Sequence, residues 1–156
     1  ADEASNESRN VVDDMVLFDS RTILDYLDAR AGGGKILPAS GPDRYAVMSM
    51  SALADGILDA AVLVIYEDRL RPEGMQVESF VTFQRDKIIR GLQGIPMERY
   101  ESGAMPDIAE IGVACALDYL DFRKQVEWRD HAPHLVEWKD GFAAAVPGYA
   151  DTMPSD

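Results

Sequence analysis

From Ile111 to Leu117 the chain carries no charge, and apolar or small residues fall on every face of a helix with 3.6 residues per turn. A helix apolar all round is a buried helix, so residues 105–122 predict a central rod around which the rest packs. Its start is spelled out locally. Asp107 stands at the cap, and Glu110, three residues on, can reach back to the cap's own N–H. Pro106 and Ile111 occupy the two positions of a hydrophobic staple across that cap. Gly112, Ala114 and Ala116 are small enough to let neighbouring helices approach the backbone. Polar residues return at Asp118, Asp121, Arg123 and Lys124.

The pattern elsewhere is mainly helical. Residues 1–10 are polar, acidic and without period, and read as a loop or frayed end. Val11-Val12, Asp13-Asp14 and then Met15-Val16-Leu17-Phe18 predict a short hairpin turning on the two aspartates. Asp19 follows as the cap of a helix over Ser20–Arg30, with Ile23, Leu24 and Leu27 as its apolar stripe. Gly32-Gly33-Gly34 ends that helix and opens a linker over 35–42, with prolines at 38 and 42. This is the one clear break in composition, and it divides the chain into 1–34, the linker 35–42, and 43–156. A long helix is expected from 43 to about 70, burying Val47, Ala54, Leu58, Ala61 and Ile65. Gly56 in its middle costs about 1 kcal/mol relative to Ala, so a packing or site reason is expected for it. Arg71-Pro72-Glu73-Gly74 breaks the helix. A second, over 76–92, has Phe80, Phe83, the stem of Lys87, Ile88 and Leu92 spaced for burial. Residues 94–105 connect to the central rod, 128–133 form a loop, His134–Ala145 makes a last helix with Leu135, Trp138 and Phe142, and 147–156 is a tail.

Composition narrows the function classes. A chain of 156 residues, 47% hydrophobic, can bury a substantial core. Fifteen Lys and Arg against 28 Asp and Glu give a net charge of −13, which argues against nucleic acid and anionic membrane as partners. No run approaches the ~20 apolar residues of a membrane span, and nothing resembles a signal peptide. The single cysteine, Cys115, lies within the apolar rod and reads as a buried small hydrophobe, with no intramolecular disulfide. A reducing, cytoplasmic location is the expectation. The chain does not begin with Met, so it reads as a processed chain or as part of a longer one.

Motifs that stand alone are few. No phosphate loop, GxGxxG, HExxH or Cys/His cluster with metal spacing occurs. His131 and His134 flank Pro133 near Asp130 and Glu137, but a zinc site needs another ligand, so surface or capping histidines are expected and no metal. Asp55 and Asp59 lie one helical turn apart, with Val62 and Tyr66 on the same face. That face reads as a cleft lining, a solvated face or a salt bridge, and Tyr66 as a ligand contact or a core tyrosine. The more specific signal is Leu17-Phe18-Asp19-Ser20-Arg21. An acid and a hydroxyl where a strand meets a helix put a carboxylate beside backbone N–H groups. Such a start can hold an anionic group while the acid holds an ammonium, which suits an α-amino-acid head group. The alternative for these five residues is an ordinary capped helix.

These residues carry a family resemblance. Residues 11–30, VVDDMVLFDSRTILDYLDAR, resemble the end of the thioredoxin-like domain of bacterial glutathione S-transferases: a hairpin, an acid–Ser pair, and a helix of the Ile-Leu-x-Tyr-Leu type. Residues 43–145 resemble that family's all-helical second domain, whose central helix usually begins Ser/Thr-x-x-Asp. Here the matching positions are Asp107-Ile108-Ala109-Glu110, a substitution that keeps the cap chemistry. The departures lie at the front. The first strand, first helix, second strand and catalytic Tyr, Ser or Cys are absent from this sequence, as is the Val-Pro dipeptide before the hairpin. Asn10 runs straight into Val11 where members carry Gly-x-x-Pro, and the expectation is that the protein has segments the sequence lacks. A hairpin with one helix is not a stable domain by itself.

The resemblance implies a mainly α protein, a partial thioredoxin-like α/β domain (hairpin plus helix) followed by the helical domain. It implies a glutathione transferase of the detoxification type, with glutathione as co-substrate, no metal, and a thiolate added to a small electrophilic or apolar substrate. Asp19 would hold the γ-glutamyl ammonium and Ser20 its carboxylate. Asp55, Asp59 and Tyr66 would border the electrophile, the catalytic residue stays unknown, and a homodimer is implied. A non-catalytic scaffold of the same fold is the rival reading, and a helical bundle binding a small apolar ligand a third.

Overall fold

The uncharged stretch forms a helix over Ile108–Arg123, with Val113, Ala116, Leu117 and Leu120 fully buried. Its first turn is closed by a capping box. The Asp107 carboxylate accepts the N–H groups of Ala109 at 2.8 Å and Glu110 at 2.9 Å, and the Asp107 N–H donates to Glu110 Oε2 at 2.9 Å. Lys124, at φ 53° in the left-handed region, ends the helix, and its N–H donates to the Leu120 carbonyl at 2.8 Å. Replacing Asp107 by Ala removes an acceptor for two N–H groups and should cost about 0.5–2 kcal/mol, read as a lower urea midpoint. An unchanged midpoint would show that the box does not hold the helix start.

The computed structural model describes residues 10–12, 15–97, 100 and 105–153. In chain order these form β1 (Asn10–Val12), β2 (Met15–Leu17), α1 (Ser20–Arg30), α2 (Pro42–Leu70), α3 (Glu78–Gln93), α4 (Ile108–Arg123), α5 (Trp128–His131), α6 (His134–Ala145) and a 3-10 turn over Tyr149–Thr152. The strands pair antiparallel, with Val11 opposite Val16. The turn expected at Asp13-Asp14 lies outside the described residues. Helix α2 packs against both α3 and α4, and α3 also meets α5.

Small residues set these contacts. A Cβ on Gly112 of α4 would lie 3.2 Å from the Ala54 Cβ of α2, and one on Gly91 of α3 would lie 2.8 Å from Ile57 Cγ1. The close approaches decide which faces turn inward, and they correct the expected stripes. On α2 the buried positions are Ser51, Ala54, Ile57, Ala60, Ala61, Val64 and Glu67, while Val47, Leu58 and Ile65 are only half-buried. On α3, Gln84, Ile88 and Leu92 turn inward with Gly91. Phe83 is therefore rotated outward and 56% exposed, and its i+4 neighbour Lys87 is exposed too. On α1, Leu27 is exposed and Ile23 and Leu24 are half-buried. Among the described residues a methyl on Gly56 would meet nothing within 4 Å, so no packing reason for that glycine is found there.

Three further expectations change. Cys115 is exposed, because its side of α4 opens onto a cavity. Residues Trp128–His131 form a helical turn in place of a loop, and Trp128 is fully buried. By length and composition α2 is long and apolar enough to cross a membrane, correcting the expectation that no segment approaches that. It nonetheless carries an ion-paired Asp55 and packs on two other helices.

The joint after α1 is held by one buried carboxylate. Asp28 accepts the N–H groups of Gly34 at 2.8 Å and of Lys35 and Ile36 at 3.0 Å each. The Ile36 N–H holds the Asp28 carboxyl below its usual range against the opposing effect of burial, with Lys35 and Gly34 adding to the shift. Gly32, Gly33 and Gly34 all sit at positive φ, which lets the chain fold back onto that carboxylate. The Ile36 carbonyl then accepts the Ile108 N–H at 2.9 Å, and Leu37 is buried. The linker is thus a fixed strap between α1 and α4.

Candidate functional site

Asp19 caps α1. Its Oδ1 accepts the Arg21 N–H at 3.1 Å, and its carbonyl accepts the Ile23 N–H at 3.0 Å. Asp19 is half-buried and Ser20 is exposed beside it, at the positive end of the helix dipole. Arg21, next in sequence, turns away across the molecule. Its Nε lies 2.5 Å from Asp55 Oδ2 on α2, a residue 34 positions further along the chain. The Asp55 hydrogen bond, more than anything else, raises the Arg21 pKa above its ordinary value, and the charges of Asp19 and Asp59 add to it. A second ion pair ties the same two helices, Arg44 Nη2 to Asp25 Oδ1 at 3.1 Å, with Arg44 Nη1 donating to the Pro38 carbonyl. Between these clamps lies a small cavity of about 210 Å³, bordered by Arg44, Leu37, Met48, Ser51 and Ile108.

The structure thus brings Asp19, Ser20, Arg21, Asp55 and Asp59 to one side of the α1–α2 junction. Tyr66 does not join them. It is 52% exposed, about three turns beyond Asp55, or about 16 Å of helix rise. The reading of Tyr66 as a core residue is therefore corrected. His134 places Nε2 2.9 Å from the Ile95 carbonyl, and His131 is exposed. Among the described residues no group of three His, Cys, Asp or Glu could hold a metal ion.

A second concave region went unrecognised in the sequence. Helices α4 and α6 and the 3-10 turn enclose about 690 Å³, lined by Ile111, Cys115, Tyr119, Phe122, Phe142 and Tyr149. At its rim Lys139 pairs with Asp118 at 2.6 Å, the Tyr149 hydroxyl donates to Asp118 Oδ2 at 2.5 Å, and Lys139 donates to that hydroxyl. Burial raises the Asp118 pKa against the opposing pull of Lys139. Although Cys115 is exposed to the cavity, desolvation among the cavity's walls raises its thiol, with the Asp118 charge adding to it, so the thiol stays protonated at neutral pH. This trio pins the turn over Tyr149–Thr152 to α4. Its members come from three elements, which no local pattern links.

No family model matches the chain. Among curated proteins, the chain is 35% identical over 124 residues to the uncharacterized GST-like protein YibF of Escherichia coli (strain K12), covering 77% of this chain and 61% of that protein. The chain therefore spans about three-fifths of that relative's length. Among solved structures, a glutathione transferase family member from Pseudomonas fluorescens Pf-5 with bound S-(propanoic acid)-glutathione superposes with a TM-score of 0.83 at 41% identity. The match covers 95% of this chain and 77% of that one. A glutathione S-transferase from Methylobacillus flagellatus KT with glutathione bound gives 0.80 at 34% identity, over 93% of this chain and 74% of that one.

Proposed function

The chain belongs to the glutathione transferase family, and from that premise we propose that the protein binds glutathione at the start of α1 and adds its thiolate to a small electrophile. The fold is the family's: a partial thioredoxin-like unit followed by the helical domain. We place the division at 1–34 and 43–156, joined through 35–42. The observation that carries the reading is the N-terminus of α1, where a capping carboxylate and a serine stand together. There the Ser20 hydroxyl and first-turn N–H groups would take the γ-glutamyl carboxylate, and the second oxygen of Asp19 the ammonium. Supporting it, one solved relative at 41% identity carries an S-substituted glutathione.

The α2 face with Asp55 and Asp59 would border the electrophile's side, Asp55 through its hold on Arg21. Activating the thiol needs a donor placed at the sulfur. We assign no described residue to that role: the one thiol, Cys115, stays protonated on the other cavity. A cytoplasmic location accords with thiol chemistry of this kind. The test is to incubate the full-length protein with glutathione and an activated aryl halide and follow loss of free thiol. Turnover above the buffer rate, with the thioether as product, is expected. Tight glutathione binding with no turnover on any of several electrophile classes would favour the non-catalytic scaffold.

We also propose a homodimer. Leu63, Tyr66 and Leu70 near the end of α2 and Phe83 on α3 are exposed, on two helices that pack against each other, and exposed apolar side chains of this kind suit two-fold pairing. Light scattering at tens of micromolar should report twice the chain mass, and a monomer there would remove the claim.

A further inference from the structure

We infer that the cavity between the end of α4 and the α2–α3 turn binds a small molecule through one oxyanion, a carboxylate or a phosphate, taken by Arg123 together with Arg85 and Lys124. This cavity is independent of the glutathione reading of α1. It lies by Glu67 and Asp68, about 18–20 Å of helix rise along α2 from Asp55.

The cavity encloses about 510 Å³, within the range of small-molecule sites. Its one buried acid, Glu67, is already engaged. Glu67 Oε2 accepts Arg71 Nε at 3.1 Å, and Oε1 accepts the Val77 N–H at 2.8 Å, which ties the turn between α2 and α3 to α2. The cations of the lining are not engaged in this way. Among the described residues no acid pairs with Arg85 on α3, or with Arg123 and Lys124 at the end of α4. In a chain with 28 acids to 15 bases, three cations meeting at one cavity without a counter-ion leave a charge that a ligand can match. Arg123 is the member held in place. Its guanidinium lies 4.4 Å from the Phe122 ring centroid and 5.6 Å from that of Tyr119. Its Nε is buried without a hydrogen-bond partner among the described residues, so the terminal nitrogens are the donors it can offer, in the fork that suits a carboxylate or phosphate. Asp68 and Glu78, both exposed, stand on the α2–α3 side of the same lining. They favour a ligand with one anionic group and an uncharged or cationic remainder, and they repel a polyanion. The end of α4 is also the negative end of its dipole, so the cations alone attract the anion and a millimolar affinity is expected.

NMR of the full-length protein tests this through the Arg123 Nε–H, whose burial slows its exchange with water. Arg123→Lys identifies the signal by removing it. Inorganic phosphate or acetate at low ionic strength should move the signal saturably with a millimolar midpoint. Phosphate alone doing so marks the ligand's group as a phosphate ester, and acetate alone marks a carboxylate. Arg85→Gln/Lys124→Asn should raise the midpoint about tenfold, and Glu78→Gln should lower it about threefold. All three positions are exposed, and Asn suits the left-handed backbone at 124, so these variants should keep the wild-type urea midpoint. Tripolyphosphate should bind no more tightly than phosphate. A signal that saturates with neither anion overturns the inference, as does the same shift with sodium chloride at equal ionic strength. An unchanged midpoint in Arg85→Gln/Lys124→Asn also overturns it, since Arg123 would then act only in packing. Tighter binding of tripolyphosphate overturns the assignment to a single oxyanion.

Discussion

Asp19→Asn lowers glutathione affinity about ten- to a hundredfold, because it removes the charge from a hydrogen bond worth about 1.5–3 kcal/mol to an ammonium. Asparagine is the informative replacement. The Asp19 side chain has a structural duty as well, accepting the Arg21 N–H at the cap of α1. An amide oxygen keeps that cap, and Asn is as good a capping residue as Asp. Asp19→Ala loses both duties and should also destabilise the fold by about 1 kcal/mol. Comparing the two variants separates charge from capping: urea midpoints should differ between Ala and Asn, while glutathione affinities should be low in both. Asp59→Asn removes an acid from the same side of α2 without touching the cap, and its glutathione affinity should stay well above that of Asp19→Asn. Equal affinities for Asp19→Asn and wild type in calorimetric titration would defeat the head-group assignment, and with it most of the case for catalysis.

What was legible in the sequence is what four or five consecutive residues decide. The box of Asp107 and Glu110, the Asp19 cap and the glycine exit after α1 are all of this kind. Each needs only a donor and an acceptor a few bonds apart, and each could be read without knowing the rest of the chain. The faces of the long helices could not. On α2 a stripe through Leu58 and Ile65 is as apolar as one through Ile57 and Val64. The choice between them is made by Gly91 and Gly112, which let α3 and α4 close on Ile57 and Ala54. The same limit governs the site. Asp19 and Ser20 were found as neighbours, whereas the partner of Arg21 lies 34 positions away and reads alone as half of an acidic pair. Cys115 shows the converse error. Lack of charge from Ile111 to Leu117 reads as burial on every side, but an uncharged face can equally line a cavity, and this one does.

Trp128→Ala should be strongly destabilising, at about 3–5 kcal/mol for a buried tryptophan cut back to a methyl. For a chain of this size that corresponds to a fall in Tm of roughly 6–20 °C. The ring is fully buried in a four-residue helix too short to show a period, which is why its stretch reads as a loop. Three contacts fix it. Its Nε1 donates to Asp121 Oδ1 at 2.8 Å, Arg129 stacks over its face at 4.2 Å from the ring centroid, and Arg129 closes the triangle with two bonds to Asp121, at 2.6 and 2.8 Å. The ring therefore ties the end of α4 to the start of α5, and α5 itself lies against α3. Burial of the indole should dominate over the ion pair beside it. Arg129 and Asp121 are both substantially exposed, so their pairing is screened by water and is worth about 1 kcal/mol at most. Arg129→Ala should accordingly cost far less than Trp128→Ala, and Trp128→Phe, which keeps most of the apolar bulk but leaves Asp121 one donor short, should fall between them. Thermal melts of the three variants decide the matter. An Arg129→Ala melt as low as that of Trp128→Ala would mean that the charged triangle, and not the buried ring, holds this corner.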